Sequence, residues 1–432
     1  MLVRVQSAAT QQSGIYYEYE TESLPLGQGG MGVVYQGYCY REGDRSQYIP
    51  VAIKRIANSN QDLINRAMRE ASVRVDHKNL LMMWDFIPNF EVDPATGTNV
   101  VRHYIIMDCL QGVNLDSLLN QNFRDKFDNE CVYAKELYSL YLSDRGAFVR
   151  TVFLDVLNGV KALHDAGFIH RDLDPSNIMI THDREIKVID FGISKNINES
   201  AGSSQKLTSV GSMMGKIDYA APEMITGDVN HHNKTTDIYT LGIIAYQLCV
   251  GELPFQGDTG AVAKCQLDTP VPVEKITDPV IRQIVRKATQ KEQANRYQDI
   301  SEMLDAFNRL TTQVNIEEYE KEFRKLNEYS SEDRLRDFLA RNPDGRHTDE
   351  VQRMLSQRIE EDAFKKLSAD SSKEDVSAFL SEYPDSRHRK EVHKWLKGKS
   401  NSSSGSVPAW VWIVFPIVGV IIGVILNLVI LW

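Results

Sequence analysis

Residues 15–110 alternate aromatic and β-branched runs with short turns rich in Gly, Asp and Asn. Such runs are typical of β-strands. They predict strands, in chain order, at 15–20, 32–40, 48–56 and 100–110. A stretch with helical spacing, from Gln61 to Val75, interrupts them. The pattern therefore predicts a small, mainly antiparallel sheet accompanied by one helix.

From Leu115 to about Leu310 the apolar positions recur mostly at helical spacing, as in residues 148–167 and 237–251. Two short apolar runs, 177–180 and 186–190, predict strands inside this helical part. The predicted fold class is therefore α+β, with a β-rich part followed by a helical part. The stretch from Asn120 to Gly146 is long for a connection and has no assigned role.

The chain beyond Leu310 is charged, helical in pattern and internally repeated. Residues 323–355 and 364–396 align at an offset of 41 residues, with FL, PD, RH and EV in register. Each unit predicts two helices joined at a Pro-Asp turn, and such pairs bury their apolar faces by stacking on neighbours. The pattern resembles tetratricopeptide-like repeats without their 34-residue period. Residues 314–399 are thus predicted to form either a helical spacer or a surface for partner proteins.

Residues 409–432 contain no charged side chain and are bordered by tryptophans. At about 1.5 Å per residue, such a run is long enough to cross a bilayer core as a helix. It follows a short linker, 400–408, and a flank at 387–399 that is rich in Lys and Arg. The positive-inside tendency predicts that this flank and everything before it face the cytoplasm. The same basic residues are expected to contact anionic lipid headgroups.

The composition limits the cellular compartments and the classes of partner that this chain is expected to have. There are 49 Lys and Arg against 59 Asp and Glu, for a formal net charge of -10, which predicts no nucleic-acid partner. The 5 cysteines are widely spaced without a CxxC pair, which favours reduced thiols over a disulfide framework or a zinc site. The residues after Met1 contain no apolar run long enough for a signal peptide, so none is predicted.

A glycine-rich motif is the first candidate for chemistry. Gly27, Gly29 and Gly32 are spaced as GxGxxG and lie between two predicted strands. A dinucleotide site would instead place a helix directly after the glycines. A hairpin of glycines can bring backbone N–H groups onto phosphates without Cβ clashes, so the motif indicates a phosphate-binding hairpin.

Further motifs follow along the chain. Lys54 ends an apolar strand and needs negative partners, for which ATP phosphates and Glu70 are candidates. Asp172, Asn177 and Asp190 follow as hard oxygen donors, suited to an acceptor hydroxyl and to Mg²⁺.

The last two motifs are Ala221-Pro222-Glu223 and the run from Asp237 to Gly242, and Arg296 stands where a partner for Glu223 is expected. In this order and spacing, the motifs make residues 20–310 resemble the eukaryotic-type protein kinase family, most closely its bacterial Ser/Thr members. The resemblance implies a bilobal fold that clamps ATP, and it leaves residues 1–19 as an N-terminal extension.

The resemblance also implies a role for each matching position. Lys54 holds the α- and β-phosphates while paired to Glu70, Asp172 is the catalytic base, and the hinge runs from Met107 to Leu110 with Met107 as gatekeeper. Asn177 and Asp190 hold Mg²⁺, with Mn²⁺ as an alternative ion. The full set of expected ATP contacts is Leu26, Gly27, Gln28, Gly29, Gly30, Met31, Gly32, Val34, Ala52, Lys54, Met107, Cys109 and Met179.

Two positions depart from the family pattern. Asp174 replaces the usual Lys, and Lys216 replaces the usual Thr. We expect Lys216 to restore the positive charge beside Asp172, held by Asp174. The resemblance implies from Arg171 a kinase of the kind that is often switched on by phosphate, with Ser212 at the usual acceptor position and Thr208 and Ser209 as alternatives. A solvated loop rich in Ser and Thr, without such a site, is the other interpretation.

The predicted function is a membrane-tethered kinase that transfers the ATP γ-phosphate to Ser or Thr hydroxyls of proteins and phosphorylates its own activation segment. The alternative is a pseudokinase scaffold that binds ATP and gathers partners at the membrane through its repeats.

Overall fold

The computed structural model describes residues 1–57, 61–92, 97–190, 195–196, 217–227, 231–343 and 345–400. Contacts divide the chain into two compact units, Met1–Asn315 and Ile316–Trp432. The strands of the first unit are β1 Leu2–Val5, β2 Ile15–Glu20, β3 Gly27–Gly29, β4 Gly32–Arg41, β5 Asp44–Ile56, β6 Met83–Val92, β7 Asn99–Asp108, β8 Gly112–Asn114, β9 Phe168–Ile169, β10 Ile178–Thr181, β11 Ile186–Val188 and β12 Lys195–Asn196.

The amino-terminal sheet has the strand order β1-β2-β4-β5-β7-β6, with β3 paired to β4, and these pairings are antiparallel. The predicted antiparallel sheet is therefore confirmed, although β1 and β6 were not predicted. Residues 1–19, set apart in the sequence as an extension, supply β1 and most of β2 to this sheet. Val5 is fully buried in a core that also contains Tyr17, Tyr19 and Tyr104.

The helices of the chain are α1 Ala8–Gln12, α2 Gln61–Ser72, α3 Leu115–Leu119, α4 Val132–Ser143, α5 Arg145–Asp165, α6 Pro222–Ile225, α7 Lys234–Val250, α8 Thr259–Asp268, α9 Pro279–Ala288, α10 Ile300–Phe323, α11 Glu332–Arg341, α12 Thr348–Lys365, α13 Lys373–Glu382 and α14 Arg389–Ser400. Helix α2 ends before the predicted Val75. The long α5 and α7 carry much of the main core of the first unit, which is the helical part that the sequence predicts.

Helix α7 has clear start and stop signals. The side chain of Asn233 accepts a hydrogen bond from the Thr235 amide, and Asn233 and Thr236 form a capping box. The helix ends at Gly251, whose φ of 89° lies in the left-handed region that glycine adopts without a Cβ penalty. These signals fix the register of α7 and so the position of its buried Asp237.

The stretch 120–146 folds onto the first unit. It contains α4 and a turn in which the Asp125 carboxylate accepts hydrogen bonds from the amides of Phe127 and Asn129. The same carboxylate lies 2.9 Å from His182 Nε2. Cys131, at the start of α4, is fully buried. The stretch is therefore an ordered, packed element of the helical part.

The second unit contains the helices α11 to α14, and α10 crosses the boundary between the units. Equivalent positions of the two repeats, residues 323–355 and 364–396, make the same contacts. The His347 ring stacks on Phe323 at 3.7 Å between centroids, and the His388 ring stacks on Phe364 at 3.8 Å. Each of these histidines also contacts a glutamate, Glu320 or Glu361, through Nε2.

Among the described residues, no helix combines the length and apolar character that crossing a bilayer requires. Residues 409–432, where the sequence predicts a span, lie outside the described residues. Of the predicted linker 400–408, Ser400 ends α14, and residues 401–408 lie outside the described residues. The predicted site residues Lys216, Thr208, Ser209 and Ser212 also lie outside them.

Candidate active site

The glycine motif forms the predicted hairpin. Strand β3 pairs with the start of β4, with Gly27 opposite Val34 and Gly29 opposite Gly32. Gly32 has a φ of 149°, and a Cβ there would lie 2.0 Å from the Arg55 carbonyl oxygen. Only glycine fits this close approach of β4 to β5. The motif is thus built as a β-hairpin rather than as a strand-to-helix turn.

Lys54 and Glu70 form a buried ion pair behind this hairpin. Lys54 lies on β5 and Glu70 on α2, and Nζ is 2.7 Å from Oε1. Asp190 Oδ1 lies 3.6 Å from the same ammonium. The structure therefore brings together three residues that the sequence predicts to act together.

Burial by itself favours the neutral form of both partners. It raises the pKa of Glu70 against the opposing effect of Lys54, and it acts to lower the pKa of Lys54. The carboxylates of Glu70 and Asp190 outweigh burial at Lys54 and raise its pKa. Since the two partners lie at hydrogen-bond distance in a shielded position, we take the pair to be ionised at pH 7.

The expected adenine contacts lie on facing strands next to the hairpin. Ala52 on β5 pairs with Met107 on β7, and both are buried, with Val34 packed against the same core. Met179, on β10, and Cys109 are half-buried. Burial, followed by the nearby Asp108 carboxylate, raises the pKa of the Cys109 thiol. These positions form an apolar wall of the kind that an adenine ring requires.

The start of the expected hinge is fixed by two hydrogen bonds. The Asp108 amide donates to the Met82 carbonyl at 3.1 Å, and Trp84 Nε1 donates to Asp108 Oδ1 at 2.8 Å. Both partners lie beside or on β6, which borders β7. The neighbouring strand therefore holds the chain in place where it leaves the sheet at Cys109.

Asp172 lies in the loop after β9, where the described backbone is constrained. Asn177 Nδ2 donates to the Asp172 carbonyl at 2.5 Å, and the Asp172 amide donates to His170 Nδ1 at 3.3 Å. Arg171, next to it, has a φ of 64°, an uncommon value for a residue with a side chain. Such a conformation persists only where the surroundings hold it.

Asp237 holds the backbone of Arg171 in this conformation. Its carboxylate accepts hydrogen bonds from the amides of His170 and Arg171, each at 2.8 Å, and lies 2.7 Å from His164 Nε2. Burial acts to raise the pKa of this completely enclosed carboxyl, but its partners, led by His164, lower it. Asp237 is therefore ionised and anchors the loop that carries Asp172.

Asn177 and Asp190 fit a magnesium ion bound with ATP. Because Asn177 Nδ2 is used as a donor to Asp172, its amide oxygen remains as the acceptor. Asp190 is more than half exposed at its side chain and has a φ of 58°. Across the part of the chain that the structure describes, no group of three or more His, Cys, Asp or Glu side chains could hold a metal. An Asn and an Asp with phosphate oxygens is the ligand set that Mg²⁺ takes in nucleotide sites.

Residues 19–375 match the family model described as protein kinase domain. The chain belongs to the protein kinase family. The sequence-based family prediction is therefore confirmed, and the bilobal fold with its β-rich and helical lobes agrees with it. The match extends beyond the predicted boundary at Leu310 into the helices that follow.

Bacterial Ser/Thr kinases are among the similar proteins. A probable serine/threonine-protein kinase PknB of Lactococcus lactis is 30% identical over 287 residues, 65% of this chain and 40% of that protein. The probable kinase PknB of Corynebacterium glutamicum is 30% identical over 305 residues, 68% of this chain and 42% of its own length. Serine/threonine-protein kinase PrkC of Bacillus subtilis is 28% identical over 285 residues, 64% and 38% of the two chains. This chain thus spans about two fifths of the length of these relatives.

The kinase domain carries the expected ion pair in its helical lobe. The two terminal guanidinium nitrogens of Arg296, Nη1 and Nη2, donate to the Glu223 carboxylate at 2.8 and 3.0 Å. Arg296 is almost completely buried and also donates to the carbonyls of Thr235, Gln290 and Lys291. Burial acts to raise the pKa of Glu223, but Arg296 lowers it. The predicted partnership is confirmed.

Asp174, one of the two departures from the family pattern, has a local structural role. It precedes the 3₁₀ helix Pro175–Asn177, and its Oδ1 accepts hydrogen bonds from the amide and the hydroxyl of Ser176. Asp174 is buried. The expected pairing with Lys216 falls outside the described residues and remains a prediction.

The sequence alone missed the roles of several residues in this domain. Asp237 and His164 were not assigned as anchors, although a charged residue in the otherwise apolar α7 is a signal for one. Gln266, which donates to the carbonyls of Ile217 and Asp218, carries no sequence motif, and only the packing of α8 indicates what it contacts.

Proposed function

We propose that this chain is an active protein kinase that transfers the ATP γ-phosphate to Ser or Thr hydroxyls of proteins. The observation that carries the proposal is the 2.7 Å contact between Lys54 and Glu70, with Asp190 at 3.6 Å. In this family, that pair and the metal-binding aspartate must be in place together for catalysis. The names of the bacterial relatives support Ser and Thr as the acceptors.

Some residues of the site orient ATP, and others take part in proton transfer. The hairpin amides and Lys54 bind and orient the phosphates of ATP. Asp172 accepts the proton of the acceptor hydroxyl at its carboxylate, and Asp237 holds the loop that positions it. Asn177 and Asp190 would hold Mg²⁺, which when bound would neutralise phosphate charge.

The test is phosphotransfer by the full chain. The chain is incubated with γ-labelled ATP, Mg²⁺ and myelin basic protein, and Lys54→Met and Asp172→Asn are the matched inactive variants. We expect label on the wild type and on the added protein, and loss of it in both variants. ATP binding without any transferred label would contradict the proposal and favour the pseudokinase scaffold, for which Asp174 in place of the family lysine is the motivating observation.

We also propose that a phosphate in the activation segment switches the enzyme on. Arg171 is 8% exposed, and its Nε and Nη2 have no hydrogen-bond partner among the described residues. Burial, with the nearby like charge of Arg69, lowers the pKa of Arg171 to about 10 against the opposing effect of Asp237. A buried cation with open donors is the environment in which a phosphate is strongly held. Ser212 is the proposed acceptor, with Thr208 and Ser209 as alternatives.

The phosphate switch is tested by mapping sites on the autophosphorylated chain and comparing Ser212→Ala with a double change of Thr208 and Ser209 to Ala. We expect label at Ser212 and lower activity in Ser212→Ala. In an Arg171→Ala background, the Ser212 change should have no further effect. If phosphate is absent from all three positions while the enzyme is active, the switch is ruled out.

We further propose that residues 409–432 anchor the kinase in a membrane with its catalytic part on the cytoplasmic side. Supporting the proposal, the last described helix, α14, presents exposed Arg389, Lys390, Lys394 and Lys397 ahead of the uncharged run. Such a basic flank favours the cytoplasmic face and anionic lipid. The full chain is expected to stay in the membrane fraction after carbonate extraction, whereas a chain ending at Pro408 is expected in the soluble fraction. Equal behaviour of the two would reject the anchor.

The helical repeats are proposed to bind partner proteins. Because α10 continues to Phe323, a deletion of residues 324–399 leaves that helix whole. Comparison of the deletion with the full chain in proximity labelling tests the proposal. Loss of a specific set of labelled proteins is expected, and an unchanged set would reduce the repeats to a spacer.

A further inference from the structure

The 3₁₀ helix Ile217–Tyr219 is held by side chains from several elements of the helical lobe. Gln266 Nε2 donates to the Asp218 carbonyl at 2.6 Å and to the Ile217 carbonyl at 3.4 Å. Thr240 Oγ1 donates to the Tyr219 carbonyl at 3.0 Å. This short helix follows Lys216 directly and precedes the motif that begins at Ala221.

Gln266 is completely buried on α8, and both ends of its amide are used. Its Oε1 lies 2.6 Å from the Tyr239 hydroxyl, which therefore donates to it. Its Nε2 supplies the hydrogen bonds to the backbone of Ile217 and Asp218. Among the described residues, this amide is the side chain shown to bond the Asp218 carbonyl, whereas the Ile217 carbonyl also accepts from the Ala220 amide at 3.2 Å. The position of the Asp218 carbonyl therefore depends most on Gln266.

Lys291 fixes the direction of the hydrogen bonds that run from Lys291 through Tyr239 to Gln266, which we call the relay. Its ammonium can only donate, and Nζ lies 2.8 Å from the Tyr239 hydroxyl. The hydroxyl must therefore accept from Lys291 and give its own proton to Gln266. The amide of Gln266 can then present only its nitrogen to the segment. Lys291 is in turn held by the carbonyls of Cys265 and Gln266 at 3.1 and 2.8 Å, in the last turn of α8.

The held segment adjoins the catalytic loop. The Tyr219 hydroxyl donates to Gln247 Oε1 at 2.7 Å, so its side chain is pinned to α7. Burial, followed by the carboxylate of Asp174, raises the pKa of Tyr219. Asp174 lies two positions after Asp172 in the sequence. Thr240, which holds the Tyr219 carbonyl, also lies three positions after Asp237 on α7, and Asp237 holds the backbone of the loop that carries Asp172. The segment and the catalytic loop are therefore held by neighbouring residues of one helix.

We propose that Gln266 is a positioning residue that sets where the acceptor segment of a protein substrate lies relative to Asp172, by fixing the backbone of Ile217 and Asp218. The inference rests on the proposed kinase function and adds a determinant of protein-substrate binding that none of the kinase motifs contains. An acceptor hydroxyl must come within hydrogen-bond reach of the base, so a small displacement of the neighbouring backbone affects the substrate more than ATP.

Gln266→Glu is a sharp test because glutamate has the same shape and still accepts from Tyr239. It has no donor for the two carbonyls, and its carboxylate would face them directly. The loss of a hydrogen bond at the part-buried Asp218 carbonyl weakens the arrangement by an amount that corresponds to about a 10-fold change in an equilibrium constant. Gln283→Glu on α9 makes the same charge change at an exposed position and is the matched control.

The experiment measures phosphorylation of myelin basic protein by the full chain, with the KM for the protein and the KM for ATP determined separately. For Gln266→Glu we expect a KM for the protein about 10-fold higher and a KM for ATP changed less than about twofold. Gln283→Glu should match the wild type in both. Lys291→Met, which releases the direction of the relay but leaves Gln266 in place, should give a smaller rise in the KM for the protein.

Each outcome decides between structural damage and positioning. An unchanged KM for the protein in Gln266→Glu overturns the inference. Equal rises in both KM values, or a lower unfolding temperature together with a lower kcat alone, also overturn it, since they indicate general damage. A wild type that labels neither itself nor the added protein removes the proposed function, whereas an active wild type with an indifferent Gln266→Glu removes only the role of Gln266.

Discussion

The carboxylate of Asp237 holds the backbone of Arg171, 66 positions away in the sequence, with Oδ1 2.8 Å from the amide nitrogen. Arg171 has a positive φ, and the amide of His170 is bonded to the same carboxylate. The loop that carries Asp172 is thus shaped by a residue on α7 that is almost completely buried.

Asp237→Asn should therefore lower kcat without unfolding the protein. An amide can turn only one acceptor oxygen toward its partners and must point a donor at the other backbone or histidine donors. The displaced loop is expected to cost on the order of 100-fold in kcat. Single-turnover phosphotransfer measures the effect, and Asp305→Asn at an exposed position is the control. A kcat within a few-fold of the wild type would show that the loop holds its shape without Asp237.

Glu70→Gln should weaken phosphotransfer while leaving the fold intact. The change keeps the size of the side chain but removes the charge that faces Lys54 at 2.7 Å. A hydrogen bond between charged groups contributes about 2 kcal/mol, so kcat/KM for ATP should fall roughly 30-fold. Glu20→Gln, at the exposed end of β2, is the matched control. Equal kinetics in the two variants would mean that Lys54 is positioned by other groups.

Arg296→Met should destabilise the helical lobe strongly. It leaves the buried Glu223 carboxylate without its two guanidinium hydrogen bonds and exposes the neighbouring carbonyls to an apolar group. Removing one partner of such a buried pair costs about 3–5 kcal/mol in the free energy of unfolding. Urea unfolding measures the loss. The double change with Glu223→Gln is expected to cost less than the sum of the single changes, and strict additivity would mean that the two side chains act independently.

Val5→Ala should destabilise the amino-terminal lobe although Val5 precedes the residues that match the family model. Val5 is fully buried with Tyr17 and Tyr19, whereas Leu2 on the same strand is 54% exposed. Removing two buried methyl groups costs about 2 kcal/mol with the cavity term. Leu2→Ala, the control, should stay within about 0.5 kcal/mol. Equal small losses in urea unfolding would make the first residues a dispensable addition.

The second repeat should lose stability in acid through Glu361. Hydrogen bonds from His388 and then Arg387 lower the pKa of Glu361 to about 2. A carboxyl with a folded pKa below its ordinary value contributes stability that is complete above the ordinary value of 4.5 and is lost as the pH falls toward 2. Hydrogen exchange of residues 373–400 in the full chain, compared at each pH with Glu361→Gln, measures this.

The acid dependence should be absent from Glu361→Gln, which has no proton to bind in this range. Glu318→Gln, at an exposed position of α10, is the control and should keep the wild-type profile. If wild type and Glu361→Gln lose protection in parallel from pH 4.5 to 2, the stability does not depend on this carboxylate.

The residues with a fixed chemical role were predictable because their spacing along the chain is set by the local elements that carry them. Lys54 ends a strand, Asp172 and Asn177 share one loop, and Asp190 follows a strand. Such short segments keep their internal geometry in any member of the family. The sequence therefore predicted the fold class, which the structure bears out for the kinase domain, and it predicted the expected ATP and magnesium residues as one set.

Contacts between distant segments could not be predicted in the same way. The burial of Val5, the bonds from Asp237 to the loop, and the use of both ends of the Gln266 amide each depend on the packing of separate elements. A glutamine or a valine carries no signal of its partner in its neighbours along the chain. Many side chains along the chain could form the same kind of hydrogen bond. Which of them does so is decided only when the helices have packed together.

The sequence by itself determined the protein kinase family and predicted phosphoryl transfer, because that chemistry needs particular side chains in a particular order. It also determined the helical repeats and the uncharged run at 409–432 as patterns. Only the tertiary structure decided which groups hold the catalytic loop and the segment at Ile217–Tyr219. Those groups act through distance and direction in space, and residues far apart in the sequence acquire both only when the chain has folded.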